Sequence, residues 1–324
     1  MTDDVPAYSG PMRAARLHSI GGTLQLDELP DPLPEEGEKL VDIAYASVNP
    51  LDVWITQGTI GAAAENLPWI PGTEATGHVD GQPVLVRGGG LGVVRPGLYR
   101  DQIAVPDAWL MPVPEDIDLA QAAALPVAGI TAWQSLHARA KIGPLDRVLV
   151  LGASGGVGAL AIQLAKVVGS EVWGQTGSPG KVDGITANGA DNVVVTGADG
   201  LEGAVESFQP TVILECLGGP FTDAAIAAIE AQGRLVVFGT SNNEHVSLNL
   251  RRLYRKGVSL LGYSGMVETA EEQRTALEAL LAMMSAGSIH VPVGTVLPLA
   301  QAAEAHARIL GRRVEGKIVL DCQA

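Results

Sequence analysis

The sequence predicts an α/β protein: a doubly wound parallel sheet joined to a separate β-rich domain. Three observations predict it. From residue 147 onward, short apolar strands alternate with helix-length segments. The first of these strands runs into a glycine-rich turn, Gly152-Ala153-Ser154-Gly155-Gly156-Val157-Gly158, that opens a helix. The first third of the chain is instead broken by Pro and Gly into short alternating runs, as in a partly closed β domain.

A chain of 324 residues is long enough for two domains. Hydrophobic residues make up 47% and charged residues 18%, so a sizeable core is available; with aromatics at 4%, its volume must come from Ala, Val, Leu and Ile. The net charge of -15 opposes phosphate backbones and anionic bilayers, which excludes nucleic acid and membrane surfaces as main partners. Two cysteines, Cys216 and Cys322, cannot build a disulfide framework and indicate a reducing compartment. There is no N-terminal apolar core and no apolar run of about 18 residues, so the expected location is cytoplasmic.

Taken in order, residues 1–11 read as a flexible polar extension. Residues 12–17 and 24–29 are strands joined through Gly21-Gly22, and Pro30, Pro32 and Pro34 mark an acidic connector. Residues 39–48 alternate as a strand until Asn49-Pro50 ends it, and 52–57 form a helical turn. Strands follow at 83–87, 102–105 and 109–113, with five glycines between 88 and 97 marking a loop. The Ala-rich stretch 119–125 is helical; 126–129 interrupts it and 130–140 resumes. Strands at 148–152, 172–176, 192–195, 211–215, 234–238 and 259–262 then alternate with helices near 157–168, 181–188, 200–207 and 221–230. The tail reads as a helix at 268–286, a strand at 291–296, a helix at 299–310 and a strand at 317–320, returning to the first domain.

The spacing Ala153-x-Gly155-x-x-Gly158 after a buried strand is a dinucleotide fingerprint with Ala in its first position. Free N–H groups and the helix dipole meet there, so Ser154, Gly155, Gly156 and Val157 are candidates to hold a pyrophosphate. An NAD site usually offers a carboxylate at the end of the second strand. Here that position is Thr176, followed by Gly177, Ser178 and Lys181. A hydroxyl and an ammonium would give charge-assisted hydrogen bonds to a 2′-phosphate, which favours NADPH; Lys181 also reads as an ordinary solvated helix lysine.

Further stretches carry a resemblance. They are Ser47-Val48-Asn49-Pro50-Leu51-Asp52, Ile70-Pro71-Gly72-Thr73-Glu74-Ala75-Thr76-Gly77, Ala122-Ala123-Ala124-Leu125-Pro126-Val127-Ala128-Gly129-Ile130-Thr131-Ala132-Trp133, Gly233-Arg234-Leu235-Val236-Val237-Phe238-Gly239 and Glu315-Gly316-Lys317-Ile318-Val319-Leu320. With these motifs the chain resembles the medium-chain dehydrogenase/reductases, in their zinc-free quinone oxidoreductase (zeta-crystallin-like) branch. The resemblance implies a GroES-like β domain over 12–122 and 265–324, split by an inserted Rossmann domain over 123–264. Zinc members carry a Cys and a Gly-His-Glu where this chain has Asn49 and Thr73, so no metal is expected; His78, near Glu74, lacks converging partners.

The resemblance also implies roles. Asn49, Thr131, Phe238, Gly239, Thr240, Gly262, Tyr263 and Ser264 would surround the nicotinamide and its ribose. Gly177, Ser178 and Lys181 would face the 2′-phosphate, with Thr196 near the adenosine and Arg312 reaching the phosphate. Asn49, Trp54, Tyr45 and Tyr263 are the catalytic candidates, Trp54 standing where relatives often have Tyr. The expected function is reduction of a quinone by NADPH. Alternatives are reduction of the activated C=C bond of an enone, alkenal or enoyl thioester, for which Arg87, Arg95 and Arg100 could form a basic rim, and, from another class, non-catalytic NADPH binding. Relatives often pair edge strands, which implies a homodimer through 258–261.

Overall fold

The computed structural model describes residues 11–312 and 314–324; the first ten residues of the expected extension lie outside them. The chain opens with β1 (Met12–Arg16), β2 (Gln25–Leu29) and β3 (Glu38–Val48), then α1 (Pro50–Thr56), β4 (Ala75–Val79), β5 (Gln82–Val86), β6 (Gln102–Pro106), β7 (Leu110–Pro112) and α2 (Leu119–Ala123). Next come α3 (Leu125–Gln134), β8 (Arg147–Val150), α4 (Gly156–Val168), β9 (Glu171–Thr176), α5 (Val182–Ala187), β10 (Asn192–Val195), α6 (Leu201–Ala204), β11 (Val212–Glu215), α7 (Pro220–Ala228), β12 (Arg234–Val237), α8 (Leu250–Lys256) and β13 (Ser259–Gly262). The chain ends with α9 (Ala270–Ser285), β14 (Val293–Pro298), α10 (Ala302–Leu310) and β15 (Lys317–Asp321).

These elements form two compact units. The first holds residues 11–124, 295–312 and 318–324; the second holds Leu125–Gly294 and Val314–Lys317. The first unit is organised on β3, eleven residues long, which pairs antiparallel with β4, β6 and β15. The sheet runs β14-β15-β3-β4-β5-β7, with β1 and β2 forming a separate ribbon. Gly77 has a packing reason: a Cβ there would lie 2.2 Å from the Asp42 carbonyl oxygen, at the register shift between β3 and β4.

The second unit contains the predicted doubly wound sheet. Its order is β10-β9-β8-β11-β12-β13, every pair parallel, and the winding reverses between β8 and β11. One face is filled by Leu149, Leu151, Ile213 and Leu235 from the strands against Leu201, Phe208, Ile226 and Ile229. Trp173 stacks on Phe208 with ring centroids 4.5 Å apart, one of the few aromatic contacts in this aliphatic core.

Three expectations are corrected. Residues 126–129 do not interrupt the helix: Pro126 sits in the first turn of α3, where its missing N–H costs nothing, and the helix continues until a π-helical turn at Ser135–Ala140. Helix α8 has no counterpart among the expected elements, because its Arg- and Lys-rich sequence has no buried face to set a period. Residues 265–294, expected in the first domain, belong to the second unit. Helix α9 buries Ala276, Leu277, Leu280 and Leu281 along one stripe and packs on α3. At that crossing Gly129 leaves room for Leu280, whose Cδ1 would stand 2.9 Å from any added Cβ. Leu280→Ala is therefore expected to destabilise the second unit by about 3 kcal/mol, read from urea unfolding followed by intrinsic fluorescence.

Candidate active site

The end of β8 sets the geometry of the second unit's ligand edge. After Val150 the chain turns through Gly152, whose φ of 65° suits glycine, and enters α4 with Gly155 as N-cap. Gly158 allows the helix to approach the turn: an added Cβ would stand 2.8 Å from both the Ala153 Cα and the Gly152 carbonyl oxygen. The turn is braced from the side. Gln175 accepts from Gly152 N at 3.1 Å through its carbonyl and donates from its amide to Thr196 O at 2.6 Å, tying the ends of β9 and β10 to the turn. Gly316 N donates to Ser154 O at 3.2 Å.

The neighbouring turn is closed differently. Glu215, fully buried at the end of β11, accepts from the backbone N–H groups of Leu217 and Gly218 and from the Thr222 hydroxyl. Burial nevertheless pushes its carboxyl above the usual range. Cys216 beside it is pushed up to about 12, by burial first and by Glu215 second, which leaves the thiol protonated and inert at neutral pH.

The predicted cofactor residues of this unit gather at the carboxyl ends of the parallel strands. Ser154, Gly155, Gly156 and Val157 lie at the α4 turn, Gly177 and Ser178 after β9, Thr196 after β10, Phe238, Gly239 and Thr240 after β12, and Gly262, Tyr263 and Ser264 at the end of β13. Thr176 presents a hydroxyl at the end of β9, accepting from Ser178 N at 3.2 Å. The Lys181 ammonium donates to Val314 O at 2.8 Å. Thr131, on α3, donates its hydroxyl to Val127 O at 2.6 Å. The Tyr263 phenol donates to Glu268 at 3.0 Å.

Lys317 belongs to a motif of the sequence but has no role among the expected site residues. It is almost wholly buried, and its stem crosses Gly156, with Cδ 2.5 Å from where a Cβ would be. The turn, its glycine-only approach and this lysine fit the pyrophosphate of a nicotinamide dinucleotide. One other groove of the second unit, about 500 Å³, is lined by Asp199, Glu202, Asp223, His245 and Arg252 among others; no predicted site residue lines it.

In the first unit Asn49 caps α1 and is held at both ends. Its backbone N–H donates to Asp52 at 2.8 Å, and its side-chain amide donates to Glu74 at 2.8 Å. The Tyr99 hydroxyl donates to the same Asp52 oxygen at 3.2 Å. Burial and then Asp52 push the Tyr99 phenol well up. His306 meets the Tyr99 ring edge-on at 5.8 Å, and its Nδ1 lies 3.5 Å from the Thr56 hydroxyl; its Nε2 has no partner. Sequence reasoning assigns no function to Asp52, Glu74, Tyr99 or His306: they are far apart in the chain and only the fold collects them. Tyr45 is not joined to this cluster. Its phenol is raised by burial, then by Asp321 and Asp118. Trp54 is 37% exposed on α1, and Arg312 is exposed with φ 54°. The expected basic rim fails at Arg100, which is buried, and Arg95 folds back to Gly89 O and the Trp109 ring.

A catalytic zinc does not fit these residues. Asn49 and Thr73 supply an amide and a hydroxyl where a thiolate and an imidazole would be needed, and among the described residues no group of three His, Cys, Asp or Glu could hold a metal ion.

This geometry has measurable consequences. Gly158→Ala is expected to cost about 2 kcal/mol of stability and to weaken nucleotide binding at least tenfold, measured by calorimetry with NADPH and NADH. Burial holds His306 down to about 4 from an ordinary 6.5, so the unfolded chain takes up that proton first. Its contribution is complete above pH 6.5 and declines as pH falls toward 4, by roughly 2 kcal/mol at pH 5. His306→Gln is expected to flatten this part of the acid limb in urea midpoints taken from pH 7 to 5.

Two family models match the chain: alcohol dehydrogenase GroES-like domain over residues 35–115 and zinc-binding dehydrogenase over residues 188–320. The quinone oxidoreductase of Sus scrofa is 30% identical, with 95% of this chain and 97% of that protein covered. Among solved structures, an NAD-dependent alcohol dehydrogenase superposes with a TM-score of 0.86 at 30% identity, covering 95% of this chain and 99% of the other. The quinone oxidoreductase of Thermus thermophilus, solved also as its complex with NADPH, gives 0.81 at 28% identity, covering 95% and 99%.

Proposed function

Because the chain belongs to the medium-chain dehydrogenase/reductases, as an oxidoreductase of the quinone oxidoreductase-like branch that works with a nicotinamide cofactor, we propose that it reduces a quinone with NADPH. The observation that carries the reading is the end of β9. Thr176 stands where a ribose-binding carboxylate would repel a 2′-phosphate, and Ser178 and Lys181 follow within five residues. Lys181 already reaches a carbonyl oxygen, so its ammonium is held in place rather than free to sweep solvent.

When bound, the reduced nicotinamide supplies the hydride. The chain's residues bind, orient and exclude water. The α4 turn and Lys317 take the pyrophosphate. Thr131, pinned to Val127 O, and the glycine backbones after β12 and β13 take the nicotinamide end. Asn49, its side-chain amide held by Glu74, is a fixed polar group that would orient the acceptor. Hydride addition leaves a hydroquinone anion, which water protonates, so a strong protein acid is unnecessary. That agrees with phenols at Tyr45 and Tyr99 whose proton is held more tightly than usual, and with Tyr263 bound to Glu268. Asn49 and Thr73 in place of metal ligands leave no Lewis acid to bind an alcohol as alkoxide, which favours reduction of an activated acceptor.

The expected result is oxidation of NADPH by ortho- or naphthoquinones, with kcat/KM at least tenfold above that for NADH, followed at the cofactor absorbance band. Lys181→Ala is expected to reduce this preference by about tenfold, as removal of one charge-assisted contact should. Equal efficiency with both cofactors overturns the NADPH reading, and turnover of alkenals but not quinones overturns the acceptor.

A further inference from the structure

Arg100 is the least compensated charge in the first unit. It is 9% exposed, and among the described residues it forms no ion pair and no side-chain hydrogen bond. Buried arginines are normally paired. The nearby carboxylates are taken: Asp101 by Arg13 at 3.1 Å, and Asp27 by Arg16 at 3.1 Å and His18 at 2.9 Å. Register makes the imbalance worse. Arg100 lies across from Ala14 in an antiparallel bridge flanked by Ala15 N to Tyr99 O at 2.9 Å and Asp101 N to Arg13 O at 3.0 Å. In such a non-hydrogen-bonded pair the side chains stand close, and Arg16, two residues beyond Ala14, shares their face. Two guanidinium groups are thus diagonal neighbours. Arg100 is held down to about 10, by burial first and then by repulsion from Arg16, with the attraction of Asp101 only partly opposing them. The Nε of each arginine is buried without a hydrogen-bond partner.

Two buried donors on adjacent like charges favour a negative group. We propose that Arg16 and Arg100 form a binding site for a small oxyanion, a phosphate or a carboxylate group. Neither arginine belongs to the Asn49 cluster, where the neighbouring Tyr99 reaches Asp52. One anion shared by the two Nε donors, with Arg16 still paired to Asp27, replaces repulsion by two charge-assisted contacts.

Thermal unfolding of the full chain tests this with inorganic phosphate, sulfate, acetate and chloride at matched ionic strength, on wild type, Arg100→Met and Arg16→Met. Phosphate bound at the α4 turn is common to all three proteins and cancels in the comparison. At ten times its Kd, phosphate is expected to raise the wild-type Tm by about 2 °C more than that of either variant. Without oxyanion, Arg100→Met is expected to unfold no lower than wild type. Acetate acting as strongly as phosphate assigns the site to carboxylates; phosphate and sulfate acting alone assign it to phosphate groups. The same phosphate shift in wild type and variants overturns the proposal. So does chloride acting as well as phosphate, which would be mere screening. Should Arg100→Met fail to fold, Arg16→Met carries the comparison.

Discussion

The ligand edge of the parallel sheet depends on how near α4 can come to the end of β8. Gly158 touches the backbone of Ala153 and Gly152 with no room for a methyl group, and that contact fixes where the first-turn N–H groups point. Once the helix is seated, Gln175 can reach both the turn and the end of β10, and Gly316 can bridge to Ser154. Each of these is a modest interaction. Together they hold the donors rigid before any ligand arrives, which is what an anion site needs to bind without reorganising.

Much of the second unit is legible in the sequence, because parallel strands buried on both faces read as continuous apolar runs and the glycine spacing encodes a steric requirement. Val148 to Leu151 and Gly158 are of this kind. The strands of the first unit are also legible from Pro and Gly punctuation, down to Asn49-Pro50 ending β3. What stays hidden are contacts that depend on tertiary closure. Glu74, Tyr99 and His306 carry no local pattern announcing that they converge near Asn49 and Asp52. Lys317 is a charged residue at the start of a terminal strand, and nothing in the local sequence tells that its stem is buried against a glycine of α4. Helix α9 is legible as a helix but not as part of the second unit, since its apolar stripe says that it packs and leaves open against what.

The two units manage buried polarity in different ways. Near Asn49 the carboxylates of Asp52 and Glu74 accept from an amide, a backbone N–H and a phenol, a network of hydrogen bonds that orders the cluster. Such networks fix geometry well but punish substitution, because each lost donor strands a buried acceptor. At the end of β9 polarity is sparse and partly external: a hydroxyl, an ammonium and a glycine. One region specifies shape, the other specifies charge, and the proposed selectivity for cofactor and acceptor divides along that line.

Glu215 has a consequence for fidelity. The sheet reverses between β8 and β11, so two turns at its centre lead toward helix N-termini, α4 and α7. An anion approaching that edge would meet two competing cradles if both were open. At the second, a carboxylate from the chain itself already occupies the Leu217 and Gly218 N–H groups. The chain's own carboxylate thus neutralises the donors of the second turn and, among the described residues, leaves those of the α4 turn without an internal carboxylate of this kind.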